Sequence, residues 1–175
     1  MKAVNSISAK SANKALLSDK FTLRSKFAAE RGVRRPLEMA HVSRSKASLR
    51  FIGDSLNPKE ISDLFGCEGT TMYSKGDVRV SKSTGKQYKR KSGHWSLVAT
   101  ECEPEDIDSQ VSEILSKLPG DLAIWKELAS KYHIDLFCGI FMEESNEGMD
   151  ISPRTLEELG KRGITLALDI YDGAE

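Results

Sequence analysis

The sequence predicts an α+β domain: a ferredoxin-like mixed sheet of four to five strands, helices on one face, and a two-helix insertion. Three observations carry this. Several short stretches alternate apolar and polar residues, the period of a half-buried strand. Others repeat apolar residues at the spacing of one helix face. Two short helices, each introduced by a cap and a proline, lie between predicted strands and resemble one another.

The first strand is legible from Ala47, where Leu49 and Phe51 alternate with Ser48 and Arg50. Gly53-Asp54 ends it. Asn57-Pro58-Lys59-Glu60 then opens a helix, with Asn57 as cap, Pro58 in the first turn and Glu60 completing a capping-box-like pair. Ile61, Leu64 and Phe65 form its expected buried stripe, and Gly66 stops it. Ser83-Thr84-Gly85-Lys86 reads as a turn between two weak, exposed strands, Val78–Lys82 and Gln87–Lys91. A stronger strand follows at Trp95–Thr100, with Trp95, Leu97 and Ala99 sharing a face.

Pro104 introduces a helix striped by Ile107, Val111, Ile114, Leu115 and Leu118. Pro119-Gly120 breaks it, and Leu122, Trp125, Leu128, Ala129 and Tyr132 stripe the next, making Trp125 a core anchor. Ile134–Met142 is apolar on both faces, as a central strand would be; Leu136, Cys138 and Ile140 point one way, Phe137 and Phe141 the other. Ser152-Pro153 starts a helix through Leu156 and Leu159, and Ile164–Tyr171 alternates cleanly as the last strand. The eight residues from Asn57 align with those from Ser152 in cap, proline, cation, apolar residue, acid and leucine.

Length and charge set the organisation. At 175 residues the chain has room for one domain, expected over 47–175, and an extension over 1–46. The extension carries 11 Lys/Arg against 3 Asp/Glu and few large apolar residues, so it reads as a basic, poorly ordered arm with a helix-compatible stretch from Asp19 to Arg31. Residues 47–100 carry 9 cations against 5 acids, and residues 101–175 carry 6 against 18. A net charge of zero therefore hides a gradient from basic to acidic, which suits charge-complementary association. No stretch approaches the ~20 apolar residues of a membrane span. Cys67, Cys102 and Cys138 fit neither a disulfide framework nor a zinc site, so the cytosol is the expected compartment and neither metal nor cofactor is expected.

The candidate binding segment is Lys89-Arg90-Lys91-Ser92-Gly93-His94-Trp95. Consecutive cations lead through a glycine into an aromatic strand. With Lys75, this loop has the composition that tracks phosphates, His94 adds a titratable donor, and Trp95 offers a stacking surface if it faces outward. Facing inward, Trp95 belongs to the core and the cations merely keep an exposed hairpin soluble. No catalytic set is complete: Ser92 and Ser96 flank His94 too closely for triad geometry, and the glycines make no phosphate-binding motif. Glu143, Glu144, Asn146, Glu147 and Asp150 form an acidic loop without the spacing of a calcium site.

Residues 47–173 resemble the bacterial family catalogued as domain of unknown function 4279. The resemblance rests on Gly53-Asp54-Ser55-Leu56-Asn57-Pro58 with Glu60-Ile61, on Lys75-Gly76-Asp77, on Arg90-Lys91-Ser92-Gly93 leading into Trp95-Ser96-Leu97, and on Ile151-Ser152-Pro153 with Leu168-Asp169-Ile170-Tyr171. It implies no established activity; by analogy it suggests a partner in a toxin–immunity system. The favoured expectation is thus a non-enzymatic interaction protein, immunity- or antitoxin-like, that binds a protein partner by complementary charge. The alternative is a nucleic-acid or phosphate-ligand binder using Lys75, Lys89, Arg90, Lys91, His94 and Trp95.

Overall fold

The computed structural model describes residues 41–172, which lie within one compact unit, Met39–Glu175. The helix-compatible stretch Asp19–Arg31 falls outside the described residues. The elements run β1 (Arg44–Gly53), α1 (Pro58–Phe65), β2 (Thr71–Tyr73), β3 (Val78–Val80), β4 (Gln87–Lys89), β5 (Gly93–Val98), α2 (Ile107–Ser116), α3 (Leu122–Lys131), β6 (His133–Phe141), α4 (Pro153–Gly160) and β7 (Thr165–Tyr171). Strand β1 opens earlier than Ala47, and Val42 and Ser45 are already buried. The polar run Ser43-Arg44-Ser45-Lys46 hides this start, because its buried member is a serine.

Five strands form one mixed sheet in the order β2-β5-β1-β6-β7, and β3-β4 form a separate hairpin. The α+β class and the mixed sheet are as the sequence predicts. Helix α1 leads from β1 to β2, which run parallel with the antiparallel β5 between them, a split β–α–β unit, whereas α4 leads from β6 to its adjacent parallel neighbour β7. Helices α2 and α3 lead from β5 to the parallel β6 with β1 between them, so β2-β5-β1-β6 has the expected ferredoxin-like order and β7 extends it by one strand.

The helix ends obey their sequence signals. The Asn57 side chain accepts the Lys59 N–H at 3.1 Å and donates to Glu60 at 3.0 Å, while Gly66 closes α1 at φ 68°. Ser152 caps α4 by accepting the Thr155 N–H. Helix α2 starts at Ile107, after Pro104, because Asp106 supplies the cap by accepting the Ser109 N–H.

All four described helices bury apolar residues in a single core against one sheet face. At its centre Phe51 lies between Phe65 and Trp95, with both ring centroids 5.5 Å away, and Trp125 completes the cluster at 6.0 Å. The edge-to-face contacts suit the ring quadrupoles. The Trp95 indole N–H donates to Ser62 Oγ at 3.0 Å, so the one polar atom of that ring has a buried partner. Gln110 plays a similar part under β1, donating to the carbonyls of Ser45 at 3.0 Å and Thr100 at 2.7 Å. Cys138 is fully buried in this core, and burial pushes its thiol pKa up to about 12.

Three leucines expected in apolar stripes are exposed: Leu64, Leu122 and Leu156. In α1 and α4 the small residues Ser62 and Thr155 take inward positions instead.

The core makes a direct prediction for urea unfolding. Phe51→Ala loses about 3–5 kcal/mol of stability, the usual cost of an aromatic cavity. Ser62→Ala loses roughly 1–3 kcal/mol because the Trp95 N–H is left buried and unpaired. Wild-type stability in Ser62→Ala would contradict the assigned hydrogen bond.

Candidate functional site

The alternation that buries Ala47, Leu49 and Phe51 turns Arg44, Lys46, Ser48 and Arg50 to the other face of β1. Strand register then builds rows across that face. Arg44 aligns with Phe141 and Tyr171; Lys46 with Gly139 and Asp169; Ser48 with Val98, Phe137 and Ala167; Arg50 with Thr71, Ser96, Asp135 and Thr165. A last row holds Tyr73, His94, Ile52 and His133. The helices pack on the opposite face, so among the described residues these rows form the open side of the sheet.

Cations and rings interleave along it. The Arg44 guanidinium lies 4.0 Å over Phe141, and the Phe141 ring stacks on Tyr171 with centroids 4.9 Å apart and planes 8° from parallel. Arg50 lies 4.1 Å over Phe137 while its Nε and Nη2 donate to the two oxygens of Asp135, each at 2.7 Å. That fork fixes the guanidinium plane, and the carboxylate bond raises the Arg50 pKa. At the far end Arg90 lies 3.8 Å over Tyr73, which stacks on His94 at 4.9 Å and 10°. Burial lowers the His94 pKa first, and the Arg50 and Arg90 charges lower it further.

A groove of about 170 Å³ opens between these groups, lined by Lys46, Ser48, Val98, Phe137, Gly139, Phe141 and Tyr171. Gly139 forms part of its floor: a Cβ there would stand 3.2 Å from the Phe141 ring. Arg44 and Lys46 share one carboxylate, Glu101, at 2.7 and 3.5 Å, leaving a local surplus of positive charge.

The hairpin β3-β4 adjoins the Tyr73 end. The Gly76 N–H donates to the Arg90 carbonyl and the Arg90 N–H to the Asp77 carbonyl, each at 2.8 Å. Among the described residues no carboxylate pairs with Arg79, Lys82, Lys86, Lys89, Arg90 or Lys91. The hairpin strands are shorter than expected, and Ser83-Thr84-Gly85-Lys86 makes the turn, with Gly85 at φ 67°.

The residues singled out in the sequence thus separate. Arg90 and His94 reach the open face, and Lys89 and Lys91 stand exposed beside it. Lys75 is held by Asp54 at 2.6 Å. Trp95 does not belong to the site: it is 0% exposed and points into the helical core. Gly93 is the junction, paired with Gly53 across the strands, where a Cβ would collide with the Leu56 carbonyl oxygen. Sequence reasoning missed Arg44, Lys46, Arg50, Tyr73, Asp135 and Tyr171 as members of one site. The outward parity of Phe137 and Phe141 was the available signal.

Fold and site together define an α+β protein with a one-sided helical layer and an open sheet face that mixes cations with aromatic rings. The chain belongs to the family described as Domain of unknown function (DUF4279), whose model matches residues 43–173. No curated protein and no solved structure matches the chain. Among the described residues no helix is long and apolar enough to cross a membrane.

The packing around His94 predicts a titration. Its folded pKa lies below the ordinary value of about 6.5, so the unfolded chain binds the proton more readily. Stability falls as pH drops below that value, and the loss is complete once pH passes below the folded pKa. Imidazole NMR signals of His94 titrate below the ordinary midpoint, and Arg90→Gln moves the midpoint upward. An unmoved midpoint would place the Arg90 charge elsewhere.

Proposed function

We propose that this protein binds single-stranded nucleic acid across the open sheet face, with the basic hairpin as an electrostatic flank. One observation carries the reading: the interleaving of Arg44, Phe141, Tyr171, Arg50, Phe137, Arg90 and Tyr73 on a single face. Aromatic rings and fixed guanidinium planes stack bases without sequence preference, and cations alongside neutralise phosphates. Duplex recognition needs an element that enters a groove, whereas a broad, shallow face suits splayed bases.

In this reading the groove floored by Gly139 admits a base edge beside Phe137 and Phe141. Lys46 and Ser48 supply a cation and a hydroxyl at its rim. Lys89 and Lys91 extend the positive path beyond Arg90.

Binding of a protein partner by the acidic half has less support. Many of its carboxylates are engaged within the chain: Glu113 with Lys117, Glu127 with Lys131, Glu158 with Lys161, and Asp108 with the Ser152 N–H. The acidic loop likewise folds on itself, Glu147 accepting the N–H groups of Glu143 and Glu144 at 3.2 and 3.0 Å.

Fluorescence anisotropy with a labelled single-stranded oligonucleotide of about 10 nucleotides tests the proposal. Affinity falls as salt rises, and neutralising Lys89, Arg90 and Lys91 together flattens the log–log salt slope by about 2. Tyr171→Leu weakens binding by roughly 1–3 kcal/mol, the worth of one stacked base. Salt-independent binding, or none at low salt, would overturn the reading.

A further inference from the structure

Strand β7 ends the sheet, and among the described residues its outer edge lacks the usual protection against pairing. It is 7 residues long and contains no Lys, Arg or Pro. The opposite edge strand, β2, is only 3 residues long and is followed by Lys75 and the basic hairpin. On β7 the helix-side residues Leu168 and Ile170 are 46% and 60% exposed, and Leu156 of α4 is exposed as well.

The direction of the backbone groups can be assigned. The Tyr171 carbonyl accepts the Met142 N–H at 3.0 Å, so the Tyr171 peptide groups point toward β6. These directions alternate along a strand. Thr165, Ala167 and Asp169 therefore also point inward, and Leu166, Leu168 and Ile170 present their N–H and C=O groups outward. The same three residues carry the apolar side chains of the helix-side face.

We propose that β7 pairs antiparallel with β7 of a second copy of this chain, about a two-fold axis through Leu168. This register sets Leu168 opposite its own copy and Leu166 opposite the copy of Ile170. All three outward residues then form hydrogen-bonded pairs, and every one of those pairs is apolar. Asp169 faces Ala167, so the only charge of the strand meets no like charge. Sliding the pairing by two positions toward the C-terminus would oppose Asp169 to its copy. Sliding the other way leaves Ile170 without an outward strand partner. A slip of one position sets outward groups against inward ones and mixes the two faces.

A palindromic pattern of this kind fits a second copy better than an unrelated strand, and a two-fold interface is the common form of self-association. The result is a continuous sheet running through both copies, with the two open faces on the same side. It does not depend on what that face binds.

Sedimentation equilibrium of the full chain tests the pairing. The expected species has about twice the chain mass of 19.4 kDa, and Leu168→Lys returns it to the single-chain mass with an unchanged circular dichroism spectrum. The register is read separately by oxidation: Leu168→Cys cross-links the two copies, since hydrogen-bonded partners have Cα atoms about 5.5 Å apart. Asp169→Cys does not cross-link above the wild-type background. A single-chain mass for the wild type at all concentrations, a dimer that survives Leu168→Lys, or cross-linking by Asp169→Cys in place of Leu168→Cys would each overturn the proposal.

Discussion

The burial of Phe51 governs the rest of this structure. Its ring is held by Phe65, Trp95 and Trp125, and its strand is paired on both sides. Phe51 aligns with Trp95 on β5 and with Ile134 on β6, so one side chain sets the register of three strands. A slip by a single residue would drive Arg50 into the helical core and expose the ring. Burying an unpaired guanidinium there costs far more than new packing could offset. The core therefore dictates the open face: fixing Phe51 inward fixes Arg44, Lys46 and Arg50 outward, with the two arginines above the rings of Phe141 and Phe137.

The open face is held rigid by contacts between its own members. The two-point bond from Arg50 to Asp135 links β1 to β6, and the same guanidinium lies over Phe137. The Phe141–Tyr171 stack ties β6 to β7, and the Tyr73–His94 stack ties β2 to β5. Side chains locked this way lose little entropy when a ligand arrives, which favours binding. The hairpin beside them forms a sheet of its own and projects exposed Val78, Val80 and Tyr88. Under the proposed function, the pre-ordered face selects planar groups and the projecting charged flank gathers anions.

Much of the fold is legible in the sequence, because period and punctuation are local properties. The capped starts at Asn57 and Ser152, the stripe through Ile107, Val111 and Ile114, and the last strand all appear where expected. Strand β2 is not legible, since Thr71-Met72-Tyr73 takes strand form by pairing with β5. The site is half legible. Arg90 and His94 stand out through charge and neighbours, but Trp95 can be placed only by knowing which side the helices cover. Arg44, Lys46 and Asp135 join the site through register with distant strands, a relation that no local pattern encodes.

If the face built by the Phe51 register receives a single-stranded nucleic acid, backbone amide NMR during titration with a short unlabelled oligonucleotide will show it most directly. The largest shift changes are expected at Lys46, Ser48 and Arg50 of β1, at Phe137, Gly139 and Phe141 of β6, and at Arg90 and His94, with little change along α2 and α4. Changes confined to the helices, or to the hairpin tip around Gly85 alone, would contradict it.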